Sequence, residues 1–266
     1  MSKRLRVVVQ GASGRMGRAV LELLREHPQL ELAAAMVGEA SASLGRHLGA
    51  DWPGQLFRAD WAALSDCDLV IDFSGPAGFD AAVDQAERLG AALVTGTTGL
   101  DAAAQARLDE AARSIPVFHA ANFSLGVAIL GRLLAQAARS LADWDLEIVE
   151  AHHRRKEDAP SGTALALGQQ AAHARGVKFE DVAVYAREGR CGPRTDGEIG
   201  FAVVRGGGIV GEHQALLIGP AERIELAHRA DDRSIFARGA VTAAEWLALQ
   251  APGRYGMAEL IADRGA

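Results

Sequence analysis

Residues 150–164, with the sequence EAHHRRKEDAPSGTA, contain a run of cationic and titratable side chains directly before a helix start. Each residue from His152 to Lys156 can carry a positive charge, and the run from Pro160 to Thr163 is typical of the first turn of a helix. Such a start leaves backbone N–H groups free beside the cations. Together they favour a small anion with several charges, such as a dicarboxylate. Because histidine titrates near neutral pH, the same segment can also transfer protons.

The predicted strand before this segment, 145–153, alternates between apolar and polar residues. The alternation puts Glu150 and His152 on one face and Ala151 and His153 on the other. Neighbouring histidines on a strand cannot both face one metal ion, and their spacing matches no zinc motif, so we expect no metal. A solvated loop is the ordinary interpretation of a charge run, but the adjoining helix start favours an anion site.

A second candidate site is the glycine-rich stretch VVVQGASGRMGRAV, between a predicted strand and a predicted helix. Gly11, Gly14 and Gly17 follow the spacing G-x-x-G-x-x-G, which differs by one residue from the G-x-G-x-x-G of dinucleotide-binding folds. Glycines in such a turn let backbone N–H groups approach a pyrophosphate at the helix N-terminus. The alternative is a plain tight turn. The stretch has no G-K-[ST], which argues against a nucleoside triphosphatase.

The sequence leaves the choice between NADH and NADPH open. A dinucleotide fold commonly carries an acidic residue after the second strand, where it binds a ribose hydroxyl. The nearest acid here, Glu39, stands two positions beyond the expected place. Arg15, Arg18 and Arg46 either favour a 2′-phosphate or are solvated surface charges.

Two further turns, TGTTG (95–99) and AANFS (120–124), follow predicted parallel strands. Ligands of open α/β sheets bind at the carboxyl ends of the strands, and small residues there allow backbone contact with a flat nicotinamide ring. The candidate pocket residues are Gly96, Thr97, Thr98, Asn122 and Ser124. Each of them alone is more typical of an ordinary loop.

Hydrophobic periodicity predicts the elements that hold these residues. In the first half, apolar strands alternate with amphipathic helices, which indicates a parallel sheet with helices on both faces. The strands are predicted at 5–9, 30–37, 68–74, 91–99 and 116–120, and the helices at 15–26, 78–89 and 101–113. Beyond residue 124, helices are predicted at 125–142, 161–175 and 234–249, with a short helical tail, and strands at 145–153, 197–205, 209–219 and 222–230. The last three strands follow one another through tight turns, so we expect an antiparallel meander with a hairpin at Gly206 to Gly208.

The composition of the 266-residue chain narrows the function classes. Its net charge of −6 argues against nucleic acid as a partner, and no apolar run approaches the ~20 residues of a membrane helix. The basic N-terminus, MSKRLRVVVQGASG, has too short an apolar stretch for a signal peptide. Cys67 and Cys191 form no C-x-x-C motif, so we expect a reducing cytoplasm and no structural metal.

The segment E-A-H-H-x-x-K-x-D-A-P-S-G-T-A resembles the active-site segment of the 4-hydroxy-tetrahydrodipicolinate reductase family, bacterial enzymes of lysine and diaminopimelate biosynthesis. The resemblance extends through GASGRMGRA, IDFS, GTTG, AANFS-GV, VYAREG, IGFA-VRGG-IVGEH and FA-GA. It implies an α/β fold with a Rossmann-like, dinucleotide-binding domain at 1–124 and 234–266. Residues 125–233 would form an α+β domain with an open mixed or antiparallel sheet, which binds the substrate and builds a homotetramer. The implied reaction transfers a hydride from NADH or NADPH to a cyclic, unsaturated dicarboxylate with loss of water.

The same resemblance assigns the site residues. His152 matches the acid/base histidine of the family and Lys156 its proton-donating lysine. The substrate-binding residues are His153, Ser161, Gly162 and Thr163. The cofactor-binding residues are Gly11, Ala12, Ser13, Gly14, Arg15, Met16, Gly38, Gly96, Thr97, Thr98, Ala121, Asn122, Phe123 and Ser124.

The chain also departs from the family pattern. Val37-Gly38 stands where many members have an acid followed by arginine, and Gly75 stands where an arginine is common.

Two other functions are also compatible with the sequence: another two-domain dehydrogenase, such as a semialdehyde or amino-acid dehydrogenase, and a non-catalytic NAD(P)-binding sensor. A semialdehyde dehydrogenase needs a nucleophilic cysteine, which neither Cys67 in a buried-looking strand nor Cys191 in a Gly/Pro-rich loop provides well.

Overall fold

The computed structural model describes residues 4–265, and the chain divides into two compact units. The first unit comprises the residues up to Ser124 together with those from Ser234 onward, and the second comprises Leu125–Arg233. The first three residues of the basic N-terminal stretch lie outside the described residues, as does residue 266. The functions that the sequence assigns to the two domains stay predictions.

In the first unit, seven strands of the described chain form one sheet in the order β12-β6-β5-β4-β1-β2-β3. Every neighbouring pair is parallel, which confirms the predicted parallel sheet. Both β4 and β5 are buried along their whole length, which is why their sequences are apolar runs without alternation. The strands are β1 (Leu5–Gln10), β2 (Leu30–Met36), β3 (Phe57–Arg58), β4 (Leu69–Asp72), β5 (Ala92–Thr95), β6 (Pro116–His119) and β12 (Gly253–Tyr255).

Helices cover both faces of this sheet. On one face, Phe79 and Leu108 pack with Val8 of β1 in a continuous apolar core. The alternate residues of β1, Val7 and Val9, are also fully buried, so the opposite face is covered too. The helices of this unit are α1 (Arg15–Leu24), α2 (Pro76–Leu89), α3 (Ala102–Ala111), α7 (Ser234–Leu247) and α8 (Met257–Asp263).

The second unit is built on a mixed sheet. Among the described residues, five strands follow the order β11-β10-β7-β9-β8, with β10 antiparallel to both β7 and β11, and β9 parallel to both β7 and β8. Leu146, Ile148 and Leu217 of one sheet face form a core with Leu134 and Leu167 from two helices. The elements are α4 (Leu125–Ser140), β7 (Asp145–His152), α5 (Gly162–Arg175), α6 (Phe179–Val182), β8 (Ala183–Val184), β9 (Ile199–Arg205), β10 (Gly211–Ile218) and β11 (Arg223–Ala230).

The predicted antiparallel meander is wrong in one respect. Strands β10 and β11 do form an antiparallel pair, but β9 pairs with β7, and β7 separates β9 from β10. The residues from Gly206 to Gly208 are therefore a crossover at the end of β7, where Gly206 N–H donates to His152 O over 3.0 Å. They are not a hairpin turn. The glycines indicate a chain reversal, but local sequence does not reveal which strand lies alongside.

Four short elements were not predicted: β3, β8, β12 and α6. Each has two to four residues, which is too short to show a hydrophobic period. The strand β12 completes the edge of the first sheet beside β6. Among residues 4–265, no helix has both the length and the apolar character needed to cross a membrane.

Gly17 provides a test of how tightly the glycine turn is packed against α1. A Cβ on Gly17 would lie 2.6 Å from the Cα of Ala12 and closer still to the carbonyl oxygen of Gly11, and these backbone atoms cannot turn aside. Alanine normally stabilises a helix interior by ~1 kcal/mol relative to glycine. We nevertheless expect Gly17→Ala to lower the free energy of unfolding in urea by about 1–3 kcal/mol.

The control for this experiment is Gly38→Ala, where a Cβ would meet nothing within 4 Å. Its urea midpoint should equal that of the wild type. Equal midpoints for the two alanine variants would disprove the close packing of the turn.

Candidate active site

The glycine turn connects the carboxyl end of β1 to the N-terminus of α1. Gly11 has a φ of +76°, and a Cβ on it would lie 2.6 Å from the carbonyl carbon and oxygen of Phe73. Gly14 occupies the N-cap position and has no side chain to accept the first helical N–H groups, and the first turn of α1 contains no acidic residue. The turn therefore offers backbone donors and the positive end of a helix, which fits the pyrophosphate of a dinucleotide.

A buried carboxylate joins the turns after β4 and β5. Asp72 is fully buried, and its Oδ1 accepts hydrogen bonds from the N–H (2.9 Å) and the hydroxyl (2.5 Å) of Ser74. Its Oδ2 accepts from the hydroxyls of Thr95 (2.7 Å) and Thr97 (2.9 Å). Burial raises the pKa of Asp72, against the effect of these four donors. No function was predicted for Asp72 from the sequence, yet its carboxylate fixes the turn at Thr97, a predicted cofactor contact.

The turns after β5 and β6 are also held by close packing. A Cβ on Gly96 would overlap the Phe73 ring. The Phe123 ring is buried, with its centroid 5.6 Å from that of Phe73 and 5.8 Å from that of Phe118. Because the Phe123 side chain belongs to the core, only its backbone is left to contact a ligand. The side chain of Asn122 accepts a hydrogen bond from the Ser124 N–H over 2.9 Å.

In the second unit, the carboxylate of Glu150 is the centre of a hydrogen-bond network. Its side chain has no exposed surface, and Arg205 donates to both oxygens, each over 2.8 Å. Nδ1 of His152 lies 2.6 Å from Oε2, and the Ser161 N–H donates to Oε1 over 2.9 Å. Burial alone would raise the pKa of Glu150, but the donors from Arg205, His152 and Ser161 outweigh it and lower that pKa. Glu150 is therefore an ionised carboxylate at neutral pH.

This carboxylate orients the His152 ring. Because Nδ1 faces an ionised oxygen, Nδ1 carries a hydrogen and Nε2 is left for proton transfer. A Cβ on Gly211 of β10 would lie 3.0 Å from Nε2, so the ring packs closely beside this glycine. The His152 side chain is 12% exposed, which leaves it accessible at one edge.

Ser161 links the helix start to the same network. Its Oγ accepts a hydrogen bond from the Ala164 N–H over 3.2 Å and lies 3.1 Å from Nε2 of His213. Burial, with the neighbouring His152 as a further cause, lowers the pKa of His213 to about 4, so His213 is neutral at neutral pH. The expectation of free N–H groups is therefore wrong at two positions, because Ser161 donates to Glu150 and Ala164 to Ser161.

The loop between β7 and α5 carries the predicted proton donor. Nζ of Lys156 lies 2.8 Å from Oδ1 of Asp158. Nη2 of Arg205 donates to the backbone carbonyl of Asp158 over 2.7 Å. The guanidinium that binds Glu150 thus also holds the loop that carries Lys156.

His153 belongs to this loop and not to the buried network. Its Nδ1 accepts a hydrogen bond from the Arg155 N–H over 3.2 Å. Partial burial and the nearby cations Arg233 and Arg155 lower the pKa of His153. Gly162 is exposed and Thr163 half-buried in the first turn of α5.

The structure therefore brings two of the predicted site residues, His152 and Ser161, together around one carboxylate. The individual assignments to catalysis, substrate and cofactor stay predictions. Three polar residues of the second unit were not predicted as site residues from the sequence: Glu150, Arg205 and His213. The sequence feature that pointed to Glu150 is the alternation of apolar and polar residues along 145–153, which put Glu150 on the same strand face as His152. Arg205 stands 55 residues beyond Glu150, a separation that no local pattern spans.

A parallel sheet whose first strand leads into a glycine turn is typical of α/β proteins that bind a dinucleotide, a class that includes the oxidoreductases that use NAD or NADP. Family models narrow this class. The model described as dihydrodipicolinate reductase, N-terminus, matches residues 5–123, and that described as dihydrodipicolinate reductase, C-terminus, matches residues 126–261. The chain belongs to the dihydrodipicolinate reductase family, as the sequence motifs predicted.

Individual relatives agree with the family models. The chain is 46% identical to the 4-hydroxy-tetrahydrodipicolinate reductase of Parvibaculum lavamentivorans, over 98% of this chain and 99% of that one. It is 47% identical to the enzyme of the same name from Alkalilimnicola ehrlichii, over 96% and 98%. Among solved structures, the dipicolinate-bound dihydrodipicolinate reductase from Paenisporosarcina sp. TG-14 is similar with a TM-score of 0.80 at 23% identity, over 96% of this chain and 99% of that one. That likeness confirms the fold.

Removal of the Arg205 guanidinium tests the buried charge of Glu150. In the wild type, the lowered pKa of Glu150 adds stability that is present above the ordinary carboxyl pKa, about 4.3, and is lost as the pH falls. In Arg205→Met, burial dominates and the pKa of Glu150 rises above its unfolded value, so stability is lost as the pH rises. We expect the variant to be less stable by about 2–3 kcal/mol at neutral pH and the difference to shrink towards about pH 4.

Chemical denaturation across this pH range measures the effect. Arg223→Met, which breaks an exposed pair with Glu225, is the control and should differ little from the wild type. A stability loss in Arg205→Met that is the same at every pH would contradict the buried-charge account.

Proposed function

We propose that this chain reduces 4-hydroxy-tetrahydrodipicolinate to tetrahydrodipicolinate with NADH or NADPH and loss of water, in lysine and diaminopimelate biosynthesis. The observation that carries the proposal is the intact segment 150–164 in a chain that matches the reductase family over almost its whole length. In that segment, a buried carboxylate orients His152, and Lys156 stands four residues further on.

The chemistry of the second unit suits a dicarboxylate. Arg154 and Arg155 are exposed beside Lys156, and the first turn of α5 opens at Gly162 directly after this loop. Cations and a helix N-terminus are the groups that bind carboxylates well. The relative from Paenisporosarcina has dipicolinate bound, which supports the same class of ligand here.

The residues of the first unit fit a nicotinamide dinucleotide. Gly14 and the first turn of α1 would hold the pyrophosphate, and the turns at Gly96 and Asn122 would contact the nicotinamide end. When bound, the reduced nicotinamide supplies the hydride. A groove of about 790 Å³ lies at the ends of β2 and β3, and Glu39 and Arg58 both line it. An acidic side chain suits the ribose hydroxyl of NADH and a basic one suits the 2′-phosphate of NADPH, so this groove is compatible with either cofactor.

The chain's own residues supply binding, orientation and protons. After loss of water, the ring contains a conjugated imine, and addition of the hydride leaves an electron-rich enamine. A proton must then be added, so that one substrate, one NAD(P)H and one proton give one product, one NAD(P)⁺ and one water. Lys156 donates this proton, and His152, oriented by Glu150, serves as acid and base through Nε2. The flanking cations hold the two carboxylates, so much of the rate gain comes from positioning.

One assay separates this function from the two alternatives. NAD(P)H absorbance is followed with enzymatically generated 4-hydroxy-tetrahydrodipicolinate, once with each cofactor. If the chain is the reductase, one NAD(P)H is consumed for each tetrahydrodipicolinate formed. A sensor binds NADH or NADPH but does not turn over, and a dehydrogenase of another substrate leaves this one unchanged. The ratio of kcat/KM for the two cofactors measures their preference.

We further propose that the enzyme is a homotetramer in the cytoplasm. One face of the second sheet packs on its helices, whereas the opposite face carries apolar residues that are at least partly exposed, among them Val149, Val204 and Leu216. Val204 is 48% exposed, which suits a surface that a second copy covers. Both cysteines are free, which suits a reducing compartment.

Substitution of the two proton-transfer residues tests the mechanism. We expect His152→Ala and Lys156→Ala each to lower kcat by ~100-fold or more, because general acid–base catalysis is lost. The Kd for NADPH should barely change. Lys178→Ala, an exposed lysine of the same unit, is the control and should keep its wild-type kcat. A His152 or Lys156 variant with near-normal turnover would remove that residue from the mechanism.

A charge on the apolar sheet face tests the assembly. We expect Val204→Glu to dissociate the tetramer, because four copies of the site would each bury an unpaired carboxylate at an interface. Sedimentation velocity should then give a species close to the 27.9 kDa of one chain. Leu249→Glu, at an 84% exposed position of the first unit, should stay tetrameric. If Val204→Glu sediments like the wild type, this face is not the interface.

A further inference from the structure

A line of polar side chains runs from helix α3 to the turn after β5. Arg254 of β12 donates from Nη2 to Oε1 of Gln105 over 2.9 Å, and the same nitrogen lies 3.3 Å from Nδ1 of His119. On the other side of the ring, Nε2 of His119 lies 3.2 Å from the carbonyl oxygen of Thr97. Asp109 lies 3.5 Å from Nη1 of Arg254 at the outer end. The catalytic scheme above uses neither His119 nor Arg254.

These contacts specify the tautomer of His119. A guanidinium can only donate, so Nδ1 of His119 is the acceptor and carries no hydrogen. Nε2 therefore carries the hydrogen and donates it to Thr97. Burial, together with the positive charge of Arg254, lowers the pKa of His119, which keeps the ring neutral in this arrangement.

His119 completes the fixation of Thr97 on three sides. The Thr97 hydroxyl donates to Asp72 over 2.9 Å, and the Thr97 N–H donates to the hydroxyl of Thr95 over 3.3 Å. The carbonyl is the third group, held by His119. Because a peptide unit is planar, a fixed Thr97 carbonyl also fixes the direction of the Thr98 N–H.

We propose that His119 and Arg254 are positioning residues for the nicotinamide end of the cofactor. Arg254 sets the tautomer and orientation of His119, and His119 holds the Thr97–Thr98 peptide in the geometry that presents the turn to the ring. The inference rests on the proposed function, because it assumes that the turn at Gly96 to Thr98 binds NADH or NADPH. It assigns a function to β12, one of the strands that the sequence did not predict.

The charges around His119 come from four elements. Arg254 faces it from β12, and Asp109 of α3 stands beyond Arg254. Asp72 of β4 is reached through Thr97. Glu259 of α8 accepts a hydrogen bond from the N–H of Gly256 over 2.8 Å, and a Cβ on Gly256 would lie 3.4 Å from the carbonyl oxygen of His119. Arg254 contacts the ring directly, so its removal is the change that alters the titration of His119 most.

The first experiment removes the donor to Thr97. We expect His119→Leu to raise the KM and Kd for NADPH by roughly 5- to 10-fold, the loss of one hydrogen bond, while kcat changes by less than about twofold. In His119→Gln, the side-chain amide can donate to the Thr97 carbonyl in place of Nε2–H, so KM and Kd should both stay within about threefold of the wild type. Kd is measured by NADPH fluorescence, and thermal unfolding verifies that both variants are folded.

The second experiment tests whether Arg254 acts through His119. We expect Arg254→Leu to raise the KM for NADPH by about threefold, because without the donor at Nδ1 the His119 ring can adopt the other tautomer, in which Nε2 carries no hydrogen to donate to Thr97. The double variant with His119→Leu should match His119→Leu alone. In ¹⁵N NMR spectra, His119 should be the neutral Nε2–H tautomer in the wild type and titrate at a higher pH in Arg254→Leu.

Two outcomes overturn the proposal: a wild-type KM and Kd in His119→Leu, or effects of the two substitutions that simply add. Failure of the proposed reductase function can be distinguished from failure of this positioning proposal. In that case the wild type shows no turnover of 4-hydroxy-tetrahydrodipicolinate, while NADPH affinity and its dependence on His119 are still measured directly by fluorescence.

Discussion

An ionised carboxylate buried at the centre of the second unit constrains everything around it. A charge such as that of Glu150 is tolerated inside a protein only when donors surround it. Here the donors come from three separate parts of the chain: Arg205 on β9, Ser161 at the start of α5, and His152 on the same strand. In the parallel ladder, Arg205 stands opposite His152. A slip of one residue in that register would turn Arg205 to the other face and leave Glu150 unpaired, so the charge specifies the strand pairing.

The first unit also contains a buried carboxylate, that of Asp72, but it is surrounded by different donors. Asp72 also lies at the carboxyl end of a strand and also ties neighbouring turns together, but its donors are hydroxyls and a backbone N–H. Burial therefore raises the pKa of Asp72, whereas the guanidinium keeps that of Glu150 low. The difference suits their surroundings. Asp72 holds the turns at Ser74 and Thr97 in a fixed geometry, whereas the His152 ring lies against a carboxylate that stays negative at neutral pH.

The sequence predicted the parts of this molecule that depend on local pattern. Continuous apolar runs predict the parallel strands, and the motifs around His152 predict the family. What could not be predicted depends on contacts between distant residues. Strand β12 has three residues, too few for a period, and is recognised only by its pairing with β6. Arg205 and His213 belong to the site only because β9 and β10 lie on either side of β7.

The observed strand order, which the sequence did not predict, is what brings these residues together. If β9 and β10 formed a hairpin at the three glycines, Arg205 and His213 would lie on neighbouring strands, with β7 beside only one of them. Because the chain crosses over the end of β7 instead, β9 brings Arg205 to one side of Glu150 and β10 brings His213 to the other. The crossover contacts β7 and the loop after it directly, since the N–H of Gly206 donates to the carbonyl of His152 and the backbone N–H of Arg154 donates to that of Gly207.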